Sequence, residues 1–398
     1  MWTTLSLQDL TEASSPPTSC TTSRSEAAGH TPGAGIKPWC LKGGREQSER
    51  ERAESVRNKR AESVRNERAE SVRNERAESV RNERAESVRN ERAESVRNER
   101  AESVRNMQSR LERAKDMREE EKLHRYKGVL YPCLMCPEEN LQALGSIQAR
   151  AQDVMLVAYP KCGFNWMVGV LRQIIAESLG VKTESRMPPL IEFFGPDTMK
   201  TIENAPSPRI LGTHLHPDNI PETFYHNKTK ILVIFRNPKD TPVSYYHFCN
   251  NNPVLPSAQS WDSFFDSFMT GEVPWGSYFD HALGWEKKMD DPNVMIVTYE
   301  DLKENLSQGV RQISSFFGFS LSEARVEQIS QGSTFNAMKE KSHNSHGNMG
   351  NVIFRKGEVG DWKNHFSPEQ SQQMDEAFKQ HLEGTRIGAL LKYQQHCQ

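Results

Sequence analysis

The stretch from Asp153 to Leu179 constrains the fold of this chain more than any other. It begins with an apolar run, Val154–Ala158, which has the length of a buried strand, and it then turns at Gly163. Apolar residues next recur at helical spacing, at Trp166, Val170, Leu171, Ile174 and Ile175. A strand, a tight turn and a helix direct backbone N–H groups and the positive end of the helix dipole to one place, which suits a phosphate-like anion.

Lys161 lies inside this turn and adds a positive charge at the same place. The alternative is an ordinary strand-to-helix crossover with a surface lysine, and this stretch alone does not decide between the two. A Walker P-loop does not fit, because the lysine precedes the glycine and no Ser or Thr is placed for magnesium. A magnesium-dependent nucleotide kinase is therefore the weaker interpretation.

Composition limits the other classes of function. The chain of 398 residues has 51 Lys+Arg against 53 Asp+Glu, so its total charge favours neither nucleic acid nor an acidic membrane surface. No window approaches the roughly 18 apolar residues that cross a bilayer, and the N-terminus lacks a secretory apolar core. The seven cysteines show no disulfide-like spacing, which indicates a reducing compartment, and Cys133 and Cys136 are expected to have a structural or incidental role instead of binding zinc or acting in redox chemistry. We therefore predict a cytosolic protein.

The first third of the chain differs from the rest. Residues 1–51 are rich in Ser, Thr, Gly and Pro and are predicted to be disordered. Between residues 52 and 106 the unit RAESVRN recurs seven times with a period of eight, which rotates its valines around a helix instead of aligning them. We interpret this repeat as a charged spacer, helical at best in part, with a partner-binding array as the alternative. Residues 107–125 are predicted to be a charged linker or helix.

Residues 126–398 have the pattern of one α/β domain. Continuous apolar runs at Val154–Ala158, Ile231–Phe235 and Val294–Val297 alternate with helical segments, which indicates a central parallel sheet flanked by helices. A polar or charged side chain follows each run, namely Lys161, Arg236 and Tyr299. Because ligands bind beyond the carboxyl ends of parallel strands, these three side chains are expected to share one crevice.

A second anion site is predicted after the run Ile231–Phe235, in RNPKDTPVSYYHF. Thr241 is expected to cap a helix that has Pro242 at its first position and Ser244 in its first turn. Arg236 can hold a phosphate through two N–H groups, and a structural salt bridge is its alternative role.

The segment FRKGEVGDWKNHF near the C-terminus is also basic and rich in glycine. Arg355 and Lys356 precede Gly357 and Gly360, which allow backbone to approach a ligand closely. Together, the three segments predict a ligand with two separate phosphate-like groups.

These three motifs, in this order, resemble those of the cytosolic sulfotransferases. YPKCGFNW resembles the 5′-phosphosulfate loop, usually YPKSGTTW, and RNPKDTPVSYYHF resembles the 3′-phosphate motif. RKGEVGDWKNHF matches the C-terminal signature RKGxxGDWKNxF. PKCGFNW together with ILGTHLH is most similar to the family-six, B-type branch. The resemblance covers the chain from about Tyr126 to its end.

The resemblance implies that the donor is 3′-phosphoadenosine 5′-phosphosulfate (PAPS). The sulfuryl group would pass to a hydroxyl or amine of a small molecule such as a phenol, a steroid or an iodothyronine. Tyr299 would contact the adenine, which would stack between Trp166 and Phe335. By position, the resemblance assigns donor binding to Lys161, Cys162, Gly163, Phe164, Asn165, Trp166, Arg236, Ser244, Tyr299, Ser333, Thr334, Phe335, Asn336, Ala337, Met338, Ile353, Phe354, Arg355, Lys356 and Gly357.

The resemblance also implies the catalytic residues. His214, in GTHLHP, matches the family's catalytic histidine and is expected to be the general base. Lys161 would stabilise negative charge on the leaving phosphate oxygen. In a strand, His214 and His216 would share one face and could bind a metal, but no third ligand is evident and the family uses none, so no metal is predicted.

Several positions depart from the family pattern. Gly212 stands where the family usually has lysine, and Cys162, Phe164 and Asn165 replace small hydroxyl residues. We therefore expect weaker donor binding or slow turnover, and the alternative is a weakly active or inactive donor-binding scaffold whose repeats mediate interactions. The family's dimer motif, KxxxTVxxxE, falls at residues 363–372, where only the lysine matches, which argues against a homodimer through that surface.

Overall fold

The computed structural model describes residues 43–181, 189–346 and 349–398. The chain divides into two compact units, Met1–Arg92 and Ala93–Gln398, which we describe separately. Most of the segment predicted to be disordered, residues 1–51, lies outside the described residues.

The repeats lie in one helix, α1, which spans Gly43–Asp116. The sequence predicted only partial helicity, but Ala, Glu and Arg all favour helix, and Ser–Glu contacts between neighbouring repeats add to this. The Ser63 hydroxyl donates to Glu67 at 3.3 Å, and Ser71 contacts Glu75 in the same way at 3.5 Å. Val56, Val64, Val72 and Val80 are exposed, as the period of eight predicts, with Val56 65% exposed.

The second unit is built on a parallel sheet. A hairpin of β1 (Leu123–Tyr126) and β2 (Val129–Pro132) comes first, followed by four parallel strands in the order β4-β3-β5-β6. These strands are β3 (Val154–Ala158), β4 (Ile210–Thr213), β5 (Lys230–Phe235) and β6 (Val294–Thr298). The α/β fold predicted from the sequence is therefore confirmed, and β1 begins at Leu123, close to the boundary predicted at residue 126.

Helices connect and cover the strands. The helices after α1 are α2 (Glu138–Ala143), α3 (Phe164–Leu179), α4 (Pro196–Asn204), α5 (Glu222–His226), α6 (Asp240–Asn251), α7 (Trp261–Met269), α8 (Tyr278–Glu286), α9 (Tyr299–Glu304), α10 (Leu306–Phe317), α11 (Glu323–Gly332), α12 (Phe335–His346), α13 (Gly350–Ile353), α14 (Pro368–His381), α15 (Arg386–Leu390) and α16 (Tyr393–His396). Among the described residues, none of these helices is long and apolar enough to span a bilayer.

Three of the four parallel strands were predicted from their apolar runs, and β4 was not. Its sequence, ILGT, is short and contains a glycine, which weakens a strand signal. It is nevertheless held beside β3, with Leu156 opposite Gly212. All five residues of β3 are buried, because β3 has a strand on each side and helices over its faces.

The two proposed structural cysteines lie in the region after the hairpin. Cys136 is buried, and the thiol of Cys133 donates to the Glu121 carbonyl at 3.3 Å. Both are free thiols. Their contacts agree with a structural role.

A buried ion pair joins the beginnings of β3 and β4. Arg209 Nε donates to Asp153 Oδ1 at 2.8 Å, and Arg209 NH2 lies 2.5 Å from Asp153 Oδ2. The backbone N–H of Arg150 also donates to this carboxylate at 2.8 Å. Asp153 and Arg209 are 1% and 5% exposed, so each charge depends on the other.

We expect Asp153→Asn to lower the free energy of unfolding by about 3 kcal/mol, because it leaves the Arg209 guanidinium buried without a counter-charge. Urea denaturation followed by circular dichroism measures the change. Glu323→Gln is the control, since it breaks a solvent-exposed pair with Arg311 and should leave the unfolding curve nearly unchanged. Equal effects of the two substitutions would contradict the prediction.

Candidate functional site

The turn after β3 has a backbone suited to close approach. Lys161 and Gly163 both have left-handed conformations, with φ of +69° and +106°. A Cβ on Gly163 would lie 2.9 Å from Cδ2 of Tyr299, so a side chain does not fit there. Helix α3 begins at the next residue, Phe164, and its first N–H groups have no partner within the helix. The predicted strand, turn and helix are therefore all present.

Lys161 is surrounded by other positive charges. Its Nζ lies 4.1 Å from the centre of the Phe248 ring. Burial lowers the pKa of Lys161 to about 7, and the charges of Arg236 and Arg355 add to this effect. A bound anion would counter the repulsion among the three cations and favour the charged form of Lys161.

Cys162 differs from its neighbours in the loop. Its sulfur lies 3.8 Å from the Thr241 hydroxyl, and its backbone N–H donates to the Tyr159 carbonyl at 3.1 Å. Burial raises the pKa of its thiol to about 12. The turn uses the N–H of Cys162 and its side chain faces the core, and donor contact by Cys162 stays a prediction.

Arg236 follows β5, as predicted, and its guanidinium is buried. Its NH2 donates to the Glu358 carbonyl at 2.7 Å and lies 3.6 Å from Asp240 Oδ2, while its Cζ lies 4.7 Å from the Tyr299 ring centre. Its Nε is buried and has no hydrogen-bond partner in the described part of the chain. A buried N–H without a partner is unfavourable, and a phosphate oxygen would satisfy it. A structural salt bridge, the alternative role of Arg236, accounts for its NH2 group but leaves Nε without a partner in the described residues.

The helix after Arg236 begins earlier than predicted. Thr241 was expected to be the cap and Pro242 the first residue, but α6 begins at Asp240. The Asn237 side-chain oxygen accepts from the Asp240 N–H at 2.8 Å, and asparagine is a better capping residue than threonine. Thr241 instead donates to the Asn237 carbonyl at 2.8 Å, and Ser244 lies half-buried in the second turn.

The C-terminal basic segment is held by one carboxylate. Asp361 lies 2.6 Å from Arg355 NH2 and 2.5 Å from Lys356 Nζ. Burial would raise the pKa of Asp361, but its hydrogen bonds with Lys356, Arg355 and Asn364 outweigh that effect and leave the pKa well below the usual range. Gly357 has φ of +69°, and a Cβ there would collide with the Phe335 ring. The glycine therefore allows the segment to pack on Phe335.

Two of the aromatic residues expected around the adenine, Trp166 and Tyr299, are in contact. Trp166 and Tyr299 are edge to face at 5.2 Å, and the Trp166 indole donates to the Ser333 carbonyl at 2.7 Å. Phe335 lies 6.1 Å from Phe354 and is half-buried. The remaining predicted donor-binding positions lie near Phe335, near Phe354 or at the start of α3. Thr334 and Asn336 are exposed, whereas Asn165, Ala337, Met338 and Ile353 are half-buried.

His214 follows β4 directly and is buried. Its Nδ1 lies 2.7 Å from the Ala158 carbonyl oxygen. Because a carbonyl oxygen only accepts, Nδ1 carries the hydrogen and Nε2 carries the lone pair. Burial lowers the pKa of His214 to about 4, aided by the charge of Lys161, although the bond to Ala158 acts in the opposite direction. The imidazole is therefore neutral near pH 7, with Nε2 able to accept a proton.

The second histidine of GTHLHP is held elsewhere. His216 Nε2 lies 3.2 Å from the Asp280 carbonyl, and its Nδ1 accepts from the Asp218 N–H at 3.2 Å. Since β4 ends at Thr213, the two rings are not arranged as strand neighbours. Among the described residues, no group of three or more potential metal ligands occurs.

Two residues behind His214 were not singled out from the sequence. The buried Glu192 carboxylate accepts from the Thr213 hydroxyl at 2.8 Å, the His214 N–H at 2.9 Å and the Trp275 indole at 3.2 Å. Burial raises the pKa of Glu192 to about 7, although these three bonds oppose the shift. Trp275 also lies edge to face against His214 at 5.1 Å. The only signal in the sequence was a charged residue inside the apolar segment LIEFF.

A parallel α/β sheet with buried cations at its carboxyl edge is typical of proteins that bind phosphate-bearing ligands. A model of the sulfotransferase domain matches residues 151–386. Sulfotransferase 6B1 of Danio rerio is 59% identical over 293 residues, which cover 73% of this chain and 99% of that relative. Sulfotransferase 6B1 of Homo sapiens is 48% identical over 288 residues, covering 72% and 95%.

A solved sulfotransferase structure also aligns with this chain. Mouse sulfotransferase SULT7A1, solved as a complex with PAP, aligns with a TM-score of 0.61 at 33% identity, covering 68% of this chain and 99% of that one. The chain belongs to the sulfotransferase family, and the resemblance seen in its motifs is confirmed. It is a PAPS-dependent sulfotransferase that acts on small-molecule acceptors.

We expect the stability of the protein to fall between about pH 4.5 and 7 through Glu192. The folded state keeps the proton of this carboxyl over a pH range in which the unfolded state loses it, so raising the pH favours unfolding by roughly 3 kcal/mol in total. Glu192→Gln should remove this part of the pH dependence in urea denaturation at pH 5 and pH 7.5. The exposed Glu323→Gln should retain it, and an unchanged slope in Glu192→Gln would contradict the prediction.

Proposed function

We propose that His214 is the general base and that Lys161 stabilises the leaving group in sulfuryl transfer from PAPS to a hydroxyl or amine. The observation that carries this proposal is the bond from His214 Nδ1 to the Ala158 carbonyl, which leaves the Nε2 lone pair available. Ala158 is the last residue of β3, just before the loop that contains Lys161. The base and the donor loop are thus attached to the same strand end.

In this mechanism, Nε2 of His214 takes the proton of the acceptor group as its oxygen or nitrogen attacks sulfur. The bond between sulfur and the 5′-phosphate oxygen breaks, and the electron pair remains on that oxygen. Lys161 faces the negative charge that develops there, with its ammonium form favoured by the donor's own charge. Glu192 holds the backbone of His214 and the indole of Trp275, so it supports the base without contacting the acceptor.

The proposed donor site is supported by the cations and glycines at the sheet edge. Arg236 has a buried Nε without a partner in the described residues. Arg355 is partly exposed, and its charge, like that of Arg236, lowers the pKa of Lys161. We assign the 3′-phosphate to Arg236, Ser244 and Arg355, with Lys356 and Gly357 completing that segment. Asp361 pairs with Arg355 and Lys356, so the phosphate would share these cations with the carboxylate or replace it.

The aromatic surroundings of His214 support an acceptor with an apolar or aromatic body. Phe164 and Trp275 contact the imidazole, and Phe193 lies 6.4 Å from Trp275. Such rings suit the phenols, steroids and iodothyronines expected from the sequence. A cytosolic location and independence from metal ions stay predictions.

We expect His214→Ala to lower kcat by at least about 100-fold, because the acceptor proton then has no base. Its affinity for 3′-phosphoadenosine 5′-phosphate should stay within about two-fold of the wild type, since the donor site is intact. Transfer from radiolabelled PAPS to a panel of phenols, steroids and iodothyronines measures the effect. His216→Ala is the control and should keep most of the activity, because His216 is bonded to Asp280.

Undiminished transfer in His214→Ala would show that the base assignment is wrong. If the wild type transfers sulfate to no acceptor but still binds 3′-phosphoadenosine 5′-phosphate, the donor-binding scaffold becomes the better interpretation.

Wild-type kcat is expected to be constant from neutral pH down to about pH 5 and to fall as the pH approaches 4, where His214 becomes protonated.

We expect Arg355→Ala to weaken the binding of 3′-phosphoadenosine 5′-phosphate by about ten-fold, because one charge-assisted contact to the 3′-phosphate is lost. Calorimetric titration with each nucleotide measures the change. Adenosine 5′-phosphate lacks the 3′-phosphate, so its affinity should be the same for the variant and the wild type. Lys363→Ala in the same segment is the control, because Lys363 donates to the Gln398 carbonyl. Equal losses for both nucleotides would contradict the assignment of Arg355 to the 3′-phosphate.

A further inference from the structure

One packing contact joins two of the positions that depart from the family pattern. The Phe164 ring lies over Gly212 of β4, where an added Cβ would collide with the ring Cζ and lie 2.7 Å from Cε2. The carbonyl oxygen of Leu156 would be 3.3 Å from the same Cβ. The glycine thus leaves the space that the ring fills, and a side chain at position 212 requires the ring to move.

The same ring contacts the proposed base. The centres of the Phe164 and His214 rings are 4.9 Å apart and their planes meet at 61°, which is an edge-to-face contact. Trp275 makes a second such contact with the imidazole, with planes at 80°. Two rings and the bond to Ala158 therefore limit how the imidazole can rotate. Phe164 itself is 3% exposed, so solvent does not compete for this contact.

We propose that Phe164 is a positioning residue for His214, and that Gly212 is needed because it makes room for the Phe164 ring. The inference rests on the proposed role of His214 as the general base. Phe164 is the first residue of α3, directly after the Lys161–Gly163 turn, so its ring connects the donor loop to the base. A substitution at either position should displace the imidazole even though neither side chain takes part in the transfer.

The ring also keeps solvent from the imidazole, and this gives a readout that a purely structural residue would lack. Burial is the main cause of the lowered pKa of His214. The other titratable groups that face this region are Lys161 in the loop, Glu192 behind the backbone and His281 in α8. These groups remain when the ring is removed, so the pKa of His214 should rise towards its ordinary value of about 6.5 because hydration returns.

The test is a double-mutant cycle with Gly212→Ala and Phe164→Ala in the full chain, assayed for kcat, for KM of PAPS and for the pH dependence of kcat. We expect each single variant to lower kcat by about ten-fold or more. In the double variant, Gly212→Ala should add no further loss, because the ring that it displaces is already absent. Phe164→Ala should also move the acidic limb of the kcat profile upward by at least about one pH unit.

Two results would overturn the inference. Gly212→Ala could lower kcat by the same factor with and without the Phe164 ring, which would show that the two positions are independent. Phe164→Ala could lower kcat equally at every pH, which would show that the ring has only a structural role. Phe224→Ala is the matched control, since it removes a fully buried ring from α5, and it should lower the melting temperature without coupling to Gly212→Ala.

His214→Ala, assayed in parallel, separates this inference from the proposed function. If His214→Ala loses transfer while positions 164 and 212 act independently, only the positioning role is wrong. If His214→Ala retains transfer, the base assignment is wrong whatever the cycle shows. Should Gly212→Ala not fold, Phe164→Leu provides the test alone, and it should move the acidic limb in the same direction, whereas an unmoved limb would overturn the inference.

Discussion

The parallel pairing of β3 with β4 on one side and β5 on the other is the constraint on which the rest of the structure depends. It brings three strand ends to one edge of the sheet, followed by the Lys161 turn, His214 and Arg236. The buried pair of Asp153 and Arg209 secures the opposite ends of β3 and β4. A slip between these strands would separate the Lys161 turn from His214, the proposed base, because the Ala158 carbonyl that contacts His214 belongs to the last residue of β3.

The electrostatics of the site follow from placing cations at a buried edge. Lys161, Arg236 and Arg355 repel one another, while the carboxylates Asp240 and Glu300 act on Arg236 and Asp361 pairs with Arg355. Burial lowers the pKa of Lys161 and leaves Arg236 Nε without a partner in the described residues. In the proposed function, the two phosphate groups of PAPS would add negative charge beside Lys161 and beside Arg236. Since a ligand that binds only the folded state also stabilises it, donor binding and stability should be coupled.

The sequence was sufficient for features that depend on local pattern. The long apolar runs predicted β3, β5 and β6, and the glycines marked turns that have left-handed conformations at Gly163 and Gly357. Features that depend on contacts distant in sequence were not predictable. Glu192 meets Thr213, His214 and Trp275 only after folding, and Asn237 competes with Thr241 for the start of α6. The short strand β4 is held by its pairing with β3 more than by its own composition.

The departures from the family pattern at positions 164 and 212 are distant in the sequence but in contact in the structure. In the sequence they are two separate losses, a hydroxyl from the loop and a cation from the strand before the base. In the structure they are one contact, because the Phe164 ring occupies the space that a side chain at position 212 would need. A lysine restored at Gly212 alone would therefore disturb the ring and His214 before it could contribute its charge. If His214 is the base, as we propose, the pair exchanges a charge for a more rigid and less hydrated imidazole, because the Phe164 ring packs edge to face against it and burial keeps it neutral.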